Sequence, residues 1–134
     1  IYSHVGDSRI YRYRNGKLEQ ITQDQTVSSD PYASEDKDDP TQQSPTRVPS
    51  GRKMLAQAIG TSILVAPEVG EEIAKVGDLY LICSDGLSDC VTDEGIEHAL
   101  KCSDDLDASG EELISLAKAG GGHDNITLVL VQIV

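Results

Sequence analysis

The stretch Leu79-Tyr80-Leu81-Ile82-Cys83-Ser84-Asp85-Gly86 decides the fold of this chain. Its first five residues form an apolar run of the length and composition that predict a buried strand. Gly77-Asp78 comes directly before the run and predicts a turn there. Because the end of a strand is a rigid position and glycine allows close approach, we expect Asp85 to point into a site at the edge of a sheet.

Further strands are predicted on both sides of this run. Residues 1–5 form a short apolar strand, and the alternation over residues 9–14 predicts a second. Asn15-Gly16 supplies the two residues with positive φ that a type I′ hairpin needs, and residues 18–22 return as the partner strand. The almost wholly apolar stretch 126–134 predicts a final strand that is covered on both faces.

Helical signals occur in three places. Thr92 predicts the N-cap of a helix over residues 93–101. Ser109 and Glu112 have the spacing of a capping box and predict the start of a second helix. Residues 54–59 predict a short helical turn. Sheets with helices packed against them, an α+β fold with antiparallel strands, follow from this order of elements.

Residues 24–52 interrupt the pattern. Four of the five prolines lie here, among Ser, Thr, Gln and Asp. Such a segment buries too little apolar area to offset the entropy of ordering it. We expect a long mobile insertion within one domain, because the chain on either side is too short to form separate cores.

Length and charge exclude several classes of protein. The chain has 134 residues, the size of one domain, and 23 acidic against 11 basic residues give a net charge of −12. This charge would repel a phosphate backbone, so we expect no nucleic-acid partner. No apolar run approaches the roughly 18 residues of a membrane span, and no membrane partner is expected. Three widely spaced cysteines favour reduced thiols and a cytoplasmic location.

Three aspartates stand apart from the other acidic residues. Asp7, Asp85 and Asp124 each follow an apolar strand or precede one, beside at least one glycine. Each one alone could be a turn-forming residue. Together, three short carboxylates at strand ends favour a site for Mg²⁺ or Mn²⁺, which prefer oxygen ligands. An acidic calcium-binding or purely structural domain is an alternative that only the net charge supports.

Several motifs also carry a resemblance to a known family. Val5-Gly6-Asp7-Ser8-Arg9, Leu81-Ile82-Cys83-Ser84-Asp85-Gly86-Leu87 and Gly121-Gly122-His123-Asp124-Asn125-Ile126-Thr127 resemble, in order, later motifs of the type 2C (PPM) metal-dependent protein phosphatases. Residues 50–61 resemble the stretch before the family's central acidic strand. Residues 20–25 resemble the segment that leads into its flap, with Gln at the last position, where His is common. The resemblance covers nearly the whole chain.

The resemblance implies a phosphoserine and phosphothreonine phosphatase built as a four-layer α-β-β-α sandwich. In that family a metal-activated water attacks phosphorus. Asp85 and Asp124 would bind the catalytic pair of Mn²⁺ or Mg²⁺ ions, and Asp7 would join Asp85 at a third, weaker ion. Asn125 and Arg9 would be supporting residues that hydrogen-bond the motif backbone or its carboxylates.

The family's first motifs are missing from this sequence. They include further acidic metal ligands, a phosphate-binding arginine and a proton-donating histidine, so no catalytic residue is identified in this chain. We expect residues 1–134 to be the C-terminal portion of the catalytic domain, inactive alone, with the missing N-terminal half and a phosphoprotein substrate as partners. Residues 24–52 match the variable flap. The alternative is a non-catalytic, pseudophosphatase-like module that binds a phosphoprotein or regulates a partner.

Overall fold

The computed structural model describes residues 1–28, 53–56, 60, 65–103 and 105–134. The strands are β1 (Tyr2–His4), β2 (Arg9–Arg14), β3 (Lys17–Gln20), β4 (Thr26–Ser28), β5 (Lys53–Leu55), β6 (Glu68–Gly70), β7 (Leu79–Cys83) and β8 (Leu128–Gln132). The helices are α1 (Asp85–Ser88), α2 (Asp93–Cys102) and α3 (Leu106–Ala119). This set confirms the predicted α+β class.

The main sheet has four antiparallel strands in the order β3-β2-β7-β8. The apolar strand β7 lies inside it, with Cys83 opposite Arg9 of β2 and opposite Leu128 of β8. The β2–β3 hairpin turns through Asn15 at φ 52° and Gly16 at φ 79°, as the Asn-Gly pair predicted. Two smaller two-stranded sheets pair β1 with β6 and β4 with β5.

The helices cover one face of the main sheet. The core between them consists of side chains from both layers, including Tyr11, Leu81, Leu87, Ile96 and Leu113, each fully buried. The opposite face of the sheet is open in the described residues, where Ile82 is 42%, Val129 51% and Val131 41% exposed. The expectation that both faces of β8 are covered is therefore wrong among the described residues, where helices pack against one face of the strand.

The two long helices differ in how well their starts were predicted. Thr92 caps α2 as expected, because its side-chain oxygen accepts a hydrogen bond from the Gly95 amide at 3.3 Å. Helix α3 begins at Leu106 with Asp105 as its N-cap, so the predicted capping box is wrong. Ser109 lies inside the helix and is buried. The extra turn lets Leu106 pack against the core.

The ends of the predicted insertion are tied together. Strand β4 pairs antiparallel with β5, so that Thr26 lies opposite Leu55. The helical turn predicted over residues 54–59 is wrong at its start, because pairing with a distant strand replaces a local helical conformation. Residues 57–59, and residues 29–52 of the predicted mobile segment, lie outside the described residues.

A buried ion pair lies at the end of β7 opposite to the end that leads into Asp85. Asp78 is 1% exposed and accepts hydrogen bonds from Arg14 Nε and Nη2, both at 2.6 Å. It also accepts the Lys75 amide at 2.7 Å. These bonds, the Arg14 bonds first, hold the pKa of Asp78 well below its usual range.

None of the helices in the described ranges is long and apolar enough to cross a membrane. The three cysteines are free thiols. Cys83 is buried and Cys102 is exposed. Burial is the main cause that raises the pKa of Cys83 to about 11.

Candidate metal centre

The strand register brings two of the three predicted metal ligands together. Arg9 lies opposite Cys83 in the antiparallel β2–β7 pair. Asp7 precedes Arg9 by two residues and Asp85 follows Cys83 by two, so both aspartates lie just beyond the same end of the β2–β7 pair. Both side chains are half-buried. The pairing of the two strands therefore brings the turn that carries Asp7 close to the start of α1, which carries Asp85.

Ser84 joins the Asp85 motif to the Asp124 motif. Its amide donates to the Thr127 carbonyl at 3.0 Å, and its hydroxyl accepts from the Thr127 amide at 3.1 Å. The same hydroxyl donates to the Asn125 carbonyl at 2.9 Å. Although Ser84 is the N-cap of α1, its side chain makes no cap hydrogen bond. It holds the chain around Asp124 against the end of β7 instead.

Gly86 makes this close approach possible. A Cβ at this position would lie 2.9 Å from the Asn125 carbonyl carbon and 3.4 Å from the Asp124 carbonyl carbon. It would also overlap the Asn125 carbonyl oxygen. All three are backbone atoms, which cannot turn away as a side chain can. The glycine after Asp85 thus allows the Asp85 motif to lie directly beside the Asp124 motif.

Asp124 lies on the loop that precedes β8. Its side chain is exposed, and its Oδ1 accepts a hydrogen bond from the Asn125 amide at 2.6 Å. Asn125 acts here through its backbone, since its carbonyl accepts from Ser84 while its amide donates to Asp124. These bonds restrain the loop that carries the third predicted ligand.

The electrostatics around Asp7 indicate a site that lacks positive charge. The pKa of Asp7 is raised, first by burial and then by repulsion from Asp85, with smaller contributions from Asp24 and Asp89. A neighbouring carboxylate disfavours the charged form of Asp7. A divalent cation between the two carboxylates would reverse this effect, because it attracts both charges.

Arg9 does not supply that positive charge, because other groups bind it. Its Nε and Nη2 donate to the two carboxylate oxygens of Asp24 at 2.8 and 2.7 Å. Its Nη1 donates to the Tyr11 hydroxyl at 2.8 Å, which donates in turn to Asp93 at 3.1 Å. Arg9 therefore bonds the carboxylate of Asp24 and not one of the three predicted metal ligands.

The donors suit a hard divalent cation without forming a closed site. Asp7 and Asp85 lie at the same end of the β2–β7 pair and repel each other, and Asp124 lies on the adjoining loop. In the parts of the chain that the structure describes, no group of three or more His, Cys, Asp or Glu side chains is arranged to hold a metal ion. The carboxylates of Asp7 and Asp85 suit a cation, and further ligands have to come from elsewhere.

Two residues that hold the site together were not predicted from the sequence. Ser84 looks like an ordinary N-cap, and Asp24 looks like the first residue of a polar insertion. Their partners, Thr127 and Arg9, are distant in sequence. The pairing of strands brings them together, so no local pattern could have identified them.

Comparison with known proteins identifies relatives of this chain, although no protein-family model matches it. The serine/threonine protein phosphatase PstP of Mycobacterium tuberculosis is 40% identical over 131 residues, which are 98% of this chain and 24% of PstP. A putative type 2C protein phosphatase of Streptococcus pyogenes is 33% identical over 132 residues, which are 98% of this chain and 52% of that protein.

A solved structure agrees with these relatives. The catalytic domain of PstP, in complex with two manganese ions, matches with a TM-score of 0.66 and 34% sequence identity. The match covers 96% of this chain and 50% of that domain. These findings confirm the resemblance drawn from the motifs. The chain spans about half the length of the second relative and of this domain, and a quarter of PstP.

Proposed function

We propose that this chain, which has the sequence and fold of part of a type 2C serine/threonine phosphatase, supplies Asp85, Asp124 and Asp7 as metal ligands for the hydrolysis of phosphoserine and phosphothreonine in proteins. The observation that carries the proposal is that Asp7 and Asp85 lie at the same end of the β2–β7 pair, while Asp124 lies on the adjoining loop that Ser84 joins to β7. The bonds of Ser84 support it, because they connect two of the three motifs.

Each residue has a separate task in this proposal. Asp85 and Asp124 hold the catalytic pair of Mn²⁺ or Mg²⁺ ions, and Asp7 shares a weaker third ion with Asp85. When bound, the ions lower the pKa of water and neutralise charge on the phosphoryl group. Ser84 fixes the spacing between the two motifs, and the backbone of Asn125 orients the Asp124 carboxylate.

The remaining machinery comes from a second segment, the N-terminal half of the domain. Each arginine among the described residues is already engaged, Arg9 by Asp24, Arg12 by Glu19 and Glu72, and Arg14 by Asp78. None is left to bind a substrate phosphate. The phosphate-binding arginine and the proton-donating histidine that the family resemblance implies would then belong to the other half, with residues 1–134 as the C-terminal portion.

The open face of the main sheet offers a place for that segment. A groove of about 260 Å³ opens there, and its lining is mostly apolar. Its walls include Ile1, Tyr2, Ile10, Tyr80, Ile82 and Val131. Sheets in a sandwich cover such faces with each other, about 10 Å apart. A second sheet on this face would complete the four-layer sandwich and place its own ligands near Asp85.

A cytoplasmic location agrees with the free thiols.

The decisive experiment measures Mn²⁺-dependent release of phosphate from a phosphothreonine peptide. It compares the full-length protein with its Asp85→Asn, Asp124→Asn and Asp107→Asn variants. We expect the first two substitutions to lower kcat/KM by at least about a hundredfold, because each removes charge from a metal ligand. Asp107→Asn, on the exposed side of α3, serves as the control and should be unchanged.

Two outcomes would contradict the proposal. Full activity of the Asp85→Asn protein would refute the ligand assignment. Turnover by the 134-residue chain alone would refute the need for a second segment. Tight binding of the phosphopeptide by the full-length protein without any turnover would instead favour a non-catalytic interaction module.

A further inference from the structure

Gln25 connects three parts of the chain beside the candidate metal centre. Its backbone amide donates to the Gly6 carbonyl at 2.9 Å, and its side-chain Oε1 accepts from the Gly6 amide at 3.0 Å. Its carbonyl accepts from the Ala56 amide at 2.8 Å. Gly6 therefore binds Gln25 through both of its polar backbone groups, and we call this two-bond contact the Gln25 clamp.

The clamp acts on a position outside the paired strands. Gly6 is buried, has a φ of 96° and directly precedes Asp7. It lies between the end of β1 and the start of β2, outside the paired registers of both strands. A buried amide without an acceptor is costly, so the Gln25 side chain stabilises this turn. The direction in which the chain runs from Gly6 into Asp7 depends on the hydrogen bond between the Gly6 amide and the Gln25 side chain.

Neighbouring residues hold Gln25 in place. Asp24 accepts two hydrogen bonds from the Arg9 guanidinium and a third from Gln20 Nε2 at 3.0 Å. Arg9 in turn lies two residues after Asp7 in the chain. The turn around Asp7 is therefore fixed on both sides, at Gly6 by Gln25 and at Arg9 by Asp24.

We propose that Gln25 is a positioning residue for the Asp7 metal ligand, and that Gln25 links this ligand to the end of the β4–β5 pair at which β4 begins and β5 ends. The link follows from the bond to Ala56, which directly follows β5. This inference rests on the proposed function, because it takes Asp7 to be a ligand. Gln25 itself contacts neither the ion nor the substrate.

The test measures Mn²⁺ binding without turnover, from the spectrum of free Mn²⁺ in electron paramagnetic resonance titrations of the full-length protein. The Asp7→Asn variant identifies the binding step that depends on Asp7. In Gln25→Asn the amide is one methylene too short to reach Gly6, and we expect about tenfold weaker binding at that step. Gln25→His, whose ring nitrogen reaches about as far as the glutamine oxygen, should recover most of the affinity. Gln23→Asn is the exposed control and should bind like the wild type.

Hydrogen exchange gives a second readout on the wild-type protein. The Gly6 amide should be protected, and Gln25→Asn should accelerate its exchange at least about tenfold. Unprotected exchange of Gly6 in the wild type, the absence of an Asp7-dependent Mn²⁺ step, or unchanged Mn²⁺ affinity in Gln25→Asn would each overturn the inference. A wild-type protein that passes these tests but hydrolyses no phosphopeptide would refute the proposed function alone.

Discussion

The effect of alanine at Gly86 is a demanding test of the site geometry. Gly86 lies in the short helix α1, and its φ is not positive. Helix propensity alone therefore predicts that Gly86→Ala stabilises the protein by up to about 1 kcal/mol. The surroundings predict the opposite, because the new methyl group would meet the backbone of Asn125.

The size of the effect follows from the contacts. The added carbon would lie 2.9 Å from the Asn125 carbonyl carbon. Carbon atoms in ordinary contact are about 3.5–4.0 Å apart, so the loop has to move by at least about 0.6 Å. Overpacking of this kind costs about 1–3 kcal/mol. The shift also stretches the two hydrogen bonds of the Ser84 hydroxyl, each worth about 1 kcal/mol. We expect a net loss of about 1–3 kcal/mol in the free energy of unfolding.

Gly110→Ala provides the matched control. Gly110 is also buried in a helix, but a Cβ there would lie 3.6 Å from Leu128 Cδ1 and 3.9 Å from Leu130 Cδ1, which are ordinary contacts. We expect this variant to be more stable by up to about 1 kcal/mol. Urea unfolding of the full-length protein, followed by circular dichroism, measures both values. A Gly86→Ala protein as stable as the wild type would refute the tight contact between the Asp85 and Asp124 motifs.

Two further predictions concern titratable groups. Arg14 lowers the pKa of Asp78 in the folded state. The ion pair therefore stabilises the folded state fully above the unfolded pKa of about 3.9, and this contribution is lost as the pH falls below that value. The midpoint of urea unfolding, measured between pH 2 and 6, should therefore fall steeply below pH 4. In Asp78→Asn the midpoint should fall less with pH. The same dependence on pH in both proteins would contradict the ion pair. Cys83 is 3% exposed with its pKa raised to about 11, so iodoacetamide should modify it at least about tenfold more slowly than the exposed Cys102, as followed by peptide mass spectrometry. Faster modification of Cys83 would show that the core around it opens readily.

Local signals in the sequence predicted local structure well. Asn15-Gly16 gave the correct hairpin because a type I′ turn depends on two adjacent residues. Thr92 gave the correct helix start because its hydrogen bond spans three residues. The start of α3 was wrong because Asp105 and Ser109 both suit an N-cap, and the packing of Leu106 selects between them.

Non-local structure was harder to predict, and the site illustrates why. The type and position of Asp7, Asp85 and Asp124 were sufficient to propose metal ligands from the sequence. Their relation was not, because it depends on the register between β2 and β7, in which one residue of slip would move every side chain to the other face. The residues that hold the site, Ser84 and Gln25, have partners that only the folded sheet brings near.

The pairing of β4 with β5 has a consequence for the evolution of this protein. The 24 residues between these strands leave and return at one point, because Thr26 lies opposite Leu55 and Ala56 bonds Gln25. The two strands pair with each other, so the residues between them are not part of the register that places Asp7 and Asp85. An insertion or deletion between β4 and β5 would therefore change the length of the chain without changing the spacing of the aspartates along β2 and β7.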